Sequence, residues 1–194
     1  MIQQLETDNY LLRPLGLYDV TERYLSWLRD PDVNRTLDVG GEMQTMDTLR
    51  QYIESHDGET RILFGIFTRK GLHIGTHSFR HYPRHRLVTI GIMIGGKDYW
   101  GKKVPLETRA CLLDYAFDVL QCDKAEAGCY SINLPAIYNF KAQHWSVEGV
   151  QRSHRLVGGK PVDMILFGML KKEWHAYRET TRQNRSGSGT QRAG

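Results

Sequence analysis

Ile90–Phe117 reads IGIMIGGKDYWGKKVPLETRACLLDYAF, and its reading decides the fold. The opening IGIMI is apolar and β-branched around one glycine, as a buried strand is. Further on, Leu106, Ala110, Leu113, Phe117 and then Leu120 recur at helical spacing and predict a helix with one apolar stripe. Between the two lies GGKDYWGKKVP, a turn-rich connection whose proline suits a first helical turn. Strand, loop and helix in that order place unpaired amide donors and the positive end of a helix dipole where a phosphate could sit. Glycines would let the backbone close in, yet Lys102, Lys103, Val104 and Pro105 stand there.

Working outward, residues 10–15 (YLLRPL) predict a strand, and LYDVTERYLSWLRD a helix. Val20, Tyr24, Trp27 and Leu28 share one side of that helix, with Asp19 placed to cap it. TMDTLRQYIESH predicts a second helix with Leu49, Tyr52 and Ile53 inward. RILFGIFT, LHIGTHSFRHY and LVTIGIMIG are three strand-like runs separated by the turn signals RKG and YPRH, an antiparallel meander. KAEAGCY predicts a strand, and LPAIYNFKAQHW a helix with Pro135 in its first turn. VEGVQRSHRLVGGKPVDMILFGML predicts two strands joined at Gly158-Gly159. The result is one mixed α/β domain, α+β in character, over residues 1–176, with about seven mostly antiparallel strands flanked by four helices.

The chain has 194 residues and a net charge of +4. From Arg178 onward RETTRQNRSGSGTQRAG carries four Arg against one Glu, so the folded part is close to neutral and no nucleic-acid face is expected. This end has little to bury, and residues 177–194 are expected to form a disordered basic tail. Three cysteines without a CxxC pair argue against a disulfide framework or a zinc site. No apolar run approaches a membrane span and MIQQLETDNY does not resemble a signal peptide, so a cytoplasmic protein is expected. The apolar run VDMILFGML could pair with a second copy in a homodimer or be buried within the monomer.

From LLRPL through YLSWLRDPDVNRTL and IGIMIGGKDYWGK to EGVQRSHRLVGGKPVDMILFGMLKKEW, the chain resembles the GNAT acetyltransferase superfamily. The branch it resembles holds ribosomal-protein N-terminal alanine, spermidine and amino-sugar-nucleotide acetyltransferases. The resemblance implies a sheet splayed in its middle and acetyl-CoA bound in the opening. It implies that Ile92, Met93 and Ile94 offer backbone groups to the pantetheine and acetyl carbonyl. Trp100, Gly101, Lys102, Lys103, Val104 and Pro105 would form the pyrophosphate loop, and Asn133 would lie beside the pantetheine. The activity implied is direct N-acetylation of a primary amine on a small molecule, with an amino-sugar nucleotide preferred and a protein N-terminus as the alternative acceptor.

Three positions depart from the family's pattern. Its loop reads Gln/Arg-x-x-Gly-x-Gly/Ala, whereas Lys103 and Pro105 occupy the small positions here. Thr89 stands where many relatives carry a proton-accepting Glu, and Phe140 where a tyrosine commonly protonates the thiolate. Two accounts stay open. Lys102 and Lys103 substitute point charges for a lost amide, or the domain is a non-catalytic, repurposed binding module.

Acetyl transfer needs an oriented thioester, a polarised carbonyl and a proton acceptor. His77 on the strand before TIGIMI is the first candidate base, with His81 and His144 behind it. Tyr130 and Tyr138 are the candidates to replace the missing tyrosine, and Cys129 is a weaker candidate nucleophile. For each of these an ordinary packing or surface role is the competing reading.

Overall fold

The computed structural model describes residues 4–37 and 44–187. Strands β1 (Leu5–Glu6), β2 (Tyr10–Pro14), β3 (Arg61–Thr68), β4 (His73–Tyr82) and β5 (Leu87–Ile94) pair antiparallel in chain order. β6 (Lys124–Tyr130) lies parallel to β5, and the hairpin of β7 (Ser146–Val157) and β8 (Lys160–Leu170) closes the sheet in the order β1-β2-β3-β4-β5-β6-β8-β7. The expected meander is β3–β5. The eighth strand is the two-residue β1, too short to carry a sequence signal. Gly158 and Gly159 have φ of 56° and 75°, the left-handed pair that a tight hairpin requires. β8 is paired on both edges within the chain, which accounts for its apolar run.

One face of the sheet is covered by α1 (Glu22–Arg29), α2 (Pro31–Asn34) and α3 (Met46–Glu54). Tyr24, Leu25, Trp27, Leu28, Leu49 and Ile53 pack there with Leu63 and Met93 of the sheet. Thr21 caps α1, accepting from the Tyr24 amide at 3.2 Å, in place of the expected Asp19. Asp19 is buried instead in a two-pronged pair with Arg13, at 2.7 and 2.9 Å. Tyr52, expected inward, is exposed on α3.

The other face carries α4 (Val104–Asp114), α5 (Leu134–Ala142) and α6 (Lys171–Gly187). α4 widens into a π-helical turn at Tyr115–Val119. Leu112, Leu113, Ala116 and Phe117 are fully buried against Phe64, Phe79, Val88 and Ile90, and each large side chain contributes about 1.5–3 kcal/mol by leaving water. Thr108 and Arg109 are also buried, so the inward stripe is wider than the apolar residues alone indicate. α6 corrects the expected tail boundary: residues 177–187 are helical. Trp174 anchors it, fully buried, with its indole N–H donating to Asp114 Oδ1 at 2.7 Å, and Arg178 pairs with Oδ2 at 2.8 Å. Residues 188–194 lie outside the described residues. Among those described, no helix is long and apolar enough to cross a membrane.

Candidate active site

β5 and β6 are paired only over Leu87↔Lys124, Val88↔Ala125 and Thr89↔Glu126. Past that last rung, β4 continues to hold β5 as far as Ile94, and β8 holds β6 as far as Tyr130. Each strand therefore follows its outer neighbour and the two part company. The opening is a cleft of ≈ 370 Å³ lined by Thr89, Gly91, Glu126, Gly128, Glu148 and Leu166, among others. Gly91 and Gly128 help to make it, because neither wall projects a side chain at those positions. On the β5 wall, Ile92 and Ile94 turn their side chains under the start of α4, while Met93 packs among α1–α3. The backbone edge between them has no strand partner on the cleft side.

The connection from Ile94 to α4 is a shaped turn. A single 3-10 turn, Lys97–Tyr99, brings Trp100 back so that its indole N–H donates to the Ile94 carbonyl at 2.8 Å. Lys97 pairs with Asp30 and Asp32 at 2.8 and 2.7 Å, which ties the loop to the α1–α2 junction. Gly101 and Lys103 have φ of 74° and 60°. Lys103 thus holds the left-handed conformation that glycine adopts freely, at a cost of about 1 kcal/mol for a side-chain-bearing residue. The Leu106 and Glu107 amides turn back to the Lys103 carbonyl. The amides of Gly101, Lys103 and Val104 have no hydrogen-bond partner among the described residues. Pro105 removes one donor, but the helix start keeps others, and the exposed Lys102 and Lys103 stand beside them.

Sequence reasoning missed the carboxylates. Glu126 faces Thr89 across the last rung, and Glu148 reaches the same place from β7. Lys124 holds both, at 2.9 Å to Glu126 Oε1 and 2.7 Å to Glu148 Oε2, and these bonds raise its own pKa. The parallel pairing of β5 with β6 sets Glu126 opposite Thr89. The alternation of KAEAGCY, with Ala125 and Ala127 toward the core, was the one available signal.

His77 is not placed to act as a base on a ligand in the cleft. It is fully buried beneath α4, its Nδ1 3.0 Å from the Gly91 carbonyl and its Nε2 2.8 Å from Thr108 Oγ1. Burial drives its pKa down to about 3. Its parity with Phe79, two residues on and in the core, was the signal that it points inward. Tyr130 is buried at the end of β6, Tyr138 is exposed on α5, and neither lines the cleft. Cys129 is buried, and burial raises its thiol to about 11, which leaves little thiolate. Asn133 caps α5, accepting from the Ala136 amide at 3.2 Å and donating to Thr36 Oγ1 at 3.0 Å. Phe140 is in the core, stacked on Phe167, which does line the cleft. None of the residues expected at the cofactor lines the cleft itself: Ile92–Ile94 continue β5 past it, and Trp100–Val104 form the turn into α4.

The family profile described as "Acetyltransferase (GNAT) domain" matches residues 9–138. The chain belongs to the GNAT acetyltransferase family. As a GNAT N-acetyltransferase it uses acetyl-CoA. It is 25% identical over 178 residues to an uncharacterized N-acetyltransferase, p20, of Bacillus licheniformis, covering 89% of this chain and 99% of that one. Two solved structures share the fold at a TM-score of 0.77. They are the Vibrio cholerae spermidine N-acetyltransferase with CoA and spermine (17% identity, 86% of this chain, 98% of that one) and a ribosomal L7/L12 α-N-protein acetyltransferase with CoA (15%, 87% and 98%).

Proposed function

We propose that this GNAT enzyme acetylates the primary amine of a small cationic acceptor directly from acetyl-CoA, with the acceptor amine entering beside Glu126. The observation that carries this reading is the cleft that opens past the Thr89–Glu126 rung, lined by Glu126 and Glu148, where the rest of the β5 edge has no pairing with β6.

Acetyl-CoA supplies an acetyl group already activated as a thioester. The chain's own part is to place it. The amides of the exposed Gly101 and Lys103, beside the positive end of α4, suit the pyrophosphate, and Lys102 and Lys103 add charge. The free backbone edge at Ile92, Met93 and Ile94 suits the pantetheine and the carbonyl oxygen. Glu126 takes the amine's proton, which restores the carboxylate that Thr89 lacks. Lys124, itself shared with Glu148, holds it in place.

Glu126 and Glu148 together outweigh the one charge of Lys124 that pairs with both, so the acceptor end favours a cation and disfavours an anion. An amino-sugar nucleotide, the acceptor preferred from sequence, brings a pyrophosphate that this end would repel. The Vibrio cholerae spermidine N-acetyltransferase, which shares this fold, is in complex with CoA and spermine, a molecule of the favoured charge. Three unpaired cysteines suit a reducing cytoplasm.

The test is thiol release from acetyl-CoA with spermidine, a UDP-amino sugar and an Ala-leading peptide as acceptors. Turnover with the polyamine well above the nucleotide is expected. Preference for the nucleotide would overturn the assignment of the carboxylates.

A further inference from the structure

Beyond the Thr89–Glu126 rung, β5 and β6 share no ladder bond, so the sheet itself does not set the width of the cleft. Behind the cleft, on the α4 side, a line of buried polar side chains runs from one wall toward the other. It starts at the Gly91 carbonyl of β5, which accepts from His77 Nδ1 at 3.0 Å. His77 Nε2 lies 2.8 Å from Thr108 Oγ1 on α4. The next helical residue, Arg109, donates to Gln143 Oε1 at 2.6 Å and to the Asn139 carbonyl of α5 at 2.9 Å. Gln143 donates back to the Leu106 carbonyl at 2.7 Å. α5 follows β6 directly, so the line ends on the far side of the opening. His77, Thr108, Arg109 and Gln143 are at most 3% exposed.

The hydrogen-bond roles are fixed by chemistry. The Gly91 oxygen can only accept, so a neutral His77 carries its proton on Nδ1 and accepts at Nε2. The single Thr108 proton is shared between Nε2 and the Val104 carbonyl, each 2.8 Å away. Arg109 has no carboxylate partner among the described residues, and burial lowers its pKa to about 9. It lies 4.3 Å from the Phe140 ring centre and 5.5 Å from that of Trp145. A buried cation without a counter-charge is a costly way to fill a core, and an apolar residue would pack as well. What an apolar residue lacks is directed donors.

We infer that Thr108 and Arg109 are positioning residues for acetyl-CoA. With His77 and Gln143 they form a brace that fixes the α4 start relative to the β5 edge and to α5, without touching the co-substrate. The inference rests on the reading that acetyl-CoA occupies the cleft between β5 and β6.

The experiment is calorimetric titration of CoA into the natural protein and into Thr108→Val and Thr108→Ser, with acetyl-CoA KM, kcat and Tm for each. One hydrogen bond in the brace makes the expected rise in Kd and KM for Thr108→Val about five- to tenfold, with kcat changed less than about twofold and Ser restoring both. A packing role would lower Tm and leave Kd alone. Should Thr108→Val not fold, His77→Asn carries the same expectation, since it can still donate toward Gly91 but is too short for Thr108. Equal CoA affinity in the natural and Val proteins overturns the brace alone. Absence of CoA binding by the natural protein overturns the assignment of the cleft and the brace with it.

Discussion

Thr89 and Glu126 are the last residues that β5 and β6 share, and the cleft begins where their pairing stops. One is a hydroxyl, which does not serve as a base near neutral pH. The other is a carboxylate delivered to the same point by the neighbouring strand. Glu126→Gln is expected to lower kcat/KM for the amine by about 100-fold or more, with CoA affinity within about twofold, because a general base contributes in the transition state and not to cofactor binding. Glu148→Gln should cost less, since Glu148 reaches the cleft from β7. Steady-state kinetics with thiol detection decide it. Equal activity in Glu126→Gln would remove Glu126 from the chemistry.

Two buried histidines make stability depend on acid. Burial lowers His73 to about 4 and His77 to about 3, against 6.5 for a free imidazole. Between those values the unfolded chain binds more protons than the folded one, so stability is full above about pH 6.5 and falls as pH drops, by up to about 1.4 kcal/mol per pH unit for each histidine. Asp19 adds to the loss only at lower pH: burial pushes its carboxyl up, but Arg13 and the Gly16 amide more than offset that and leave it below its usual value. His77→Asn should flatten the slope between about pH 7 and about pH 5 by one histidine's share. Denaturant melts at the two pH values measure this. An unchanged slope would mean that His77 stays protonatable in the folded protein.

The loop lysine can be tested on its own. Lys103→Gly relieves a left-handed conformation costing about 1 kcal/mol but adds chain entropy of about 0.5–1 kcal/mol, so stability should stay nearly unchanged. CoA affinity should hold or improve, because glycine lets the phosphate approach the same amides more closely. A loss greater than about tenfold, steep in salt, would show the Lys103 charge itself holding phosphate.

How much of this was legible follows from how each signal is encoded. β-rich runs between turn signals announced the β3–β5 meander, helical spacing announced α4, and Gly158-Gly159 announced the hairpin, since each is a local pattern. Asp19 and Thr21 are both good caps two residues apart, and only the Arg13 partner decides between them. α6 is polar along most of its length and depends on Trp174, whose partner Asp114 lies on α4. The Glu126–Thr89 rung arises from a parallel pairing across a crossover, where no turn sets the register. The strand and the loop of the candidate site were legible as local patterns, and its carboxylates were not.

The β5 wall of the cleft is also set from behind, by a residue with no side chain. Gly75 on β4 pairs with Ile94, and a Cβ built on it would overlap the Met93 carbonyl oxygen and press on the Ile94 backbone. Backbone cannot swing aside as a side-chain end can, so Gly75→Ala must move Met93 and Ile94 toward the cleft. An overpacked contact of this sort costs roughly 1–3 kcal/mol. The shifted segment is the edge assigned to the pantetheine, so acetyl-CoA KM should rise while the amine's KM changes little. Gly96→Ala is the control, because its Cβ would meet the Tyr99 ring at 3.3 Å and the Ile74 carbonyl at 3.5 Å, both tolerable. Melting temperature and the two KM values, measured for both variants, separate the outcomes. If Gly75→Ala loses stability but binds acetyl-CoA like the natural protein, the Met93–Ile94 edge is not where the co-substrate lies.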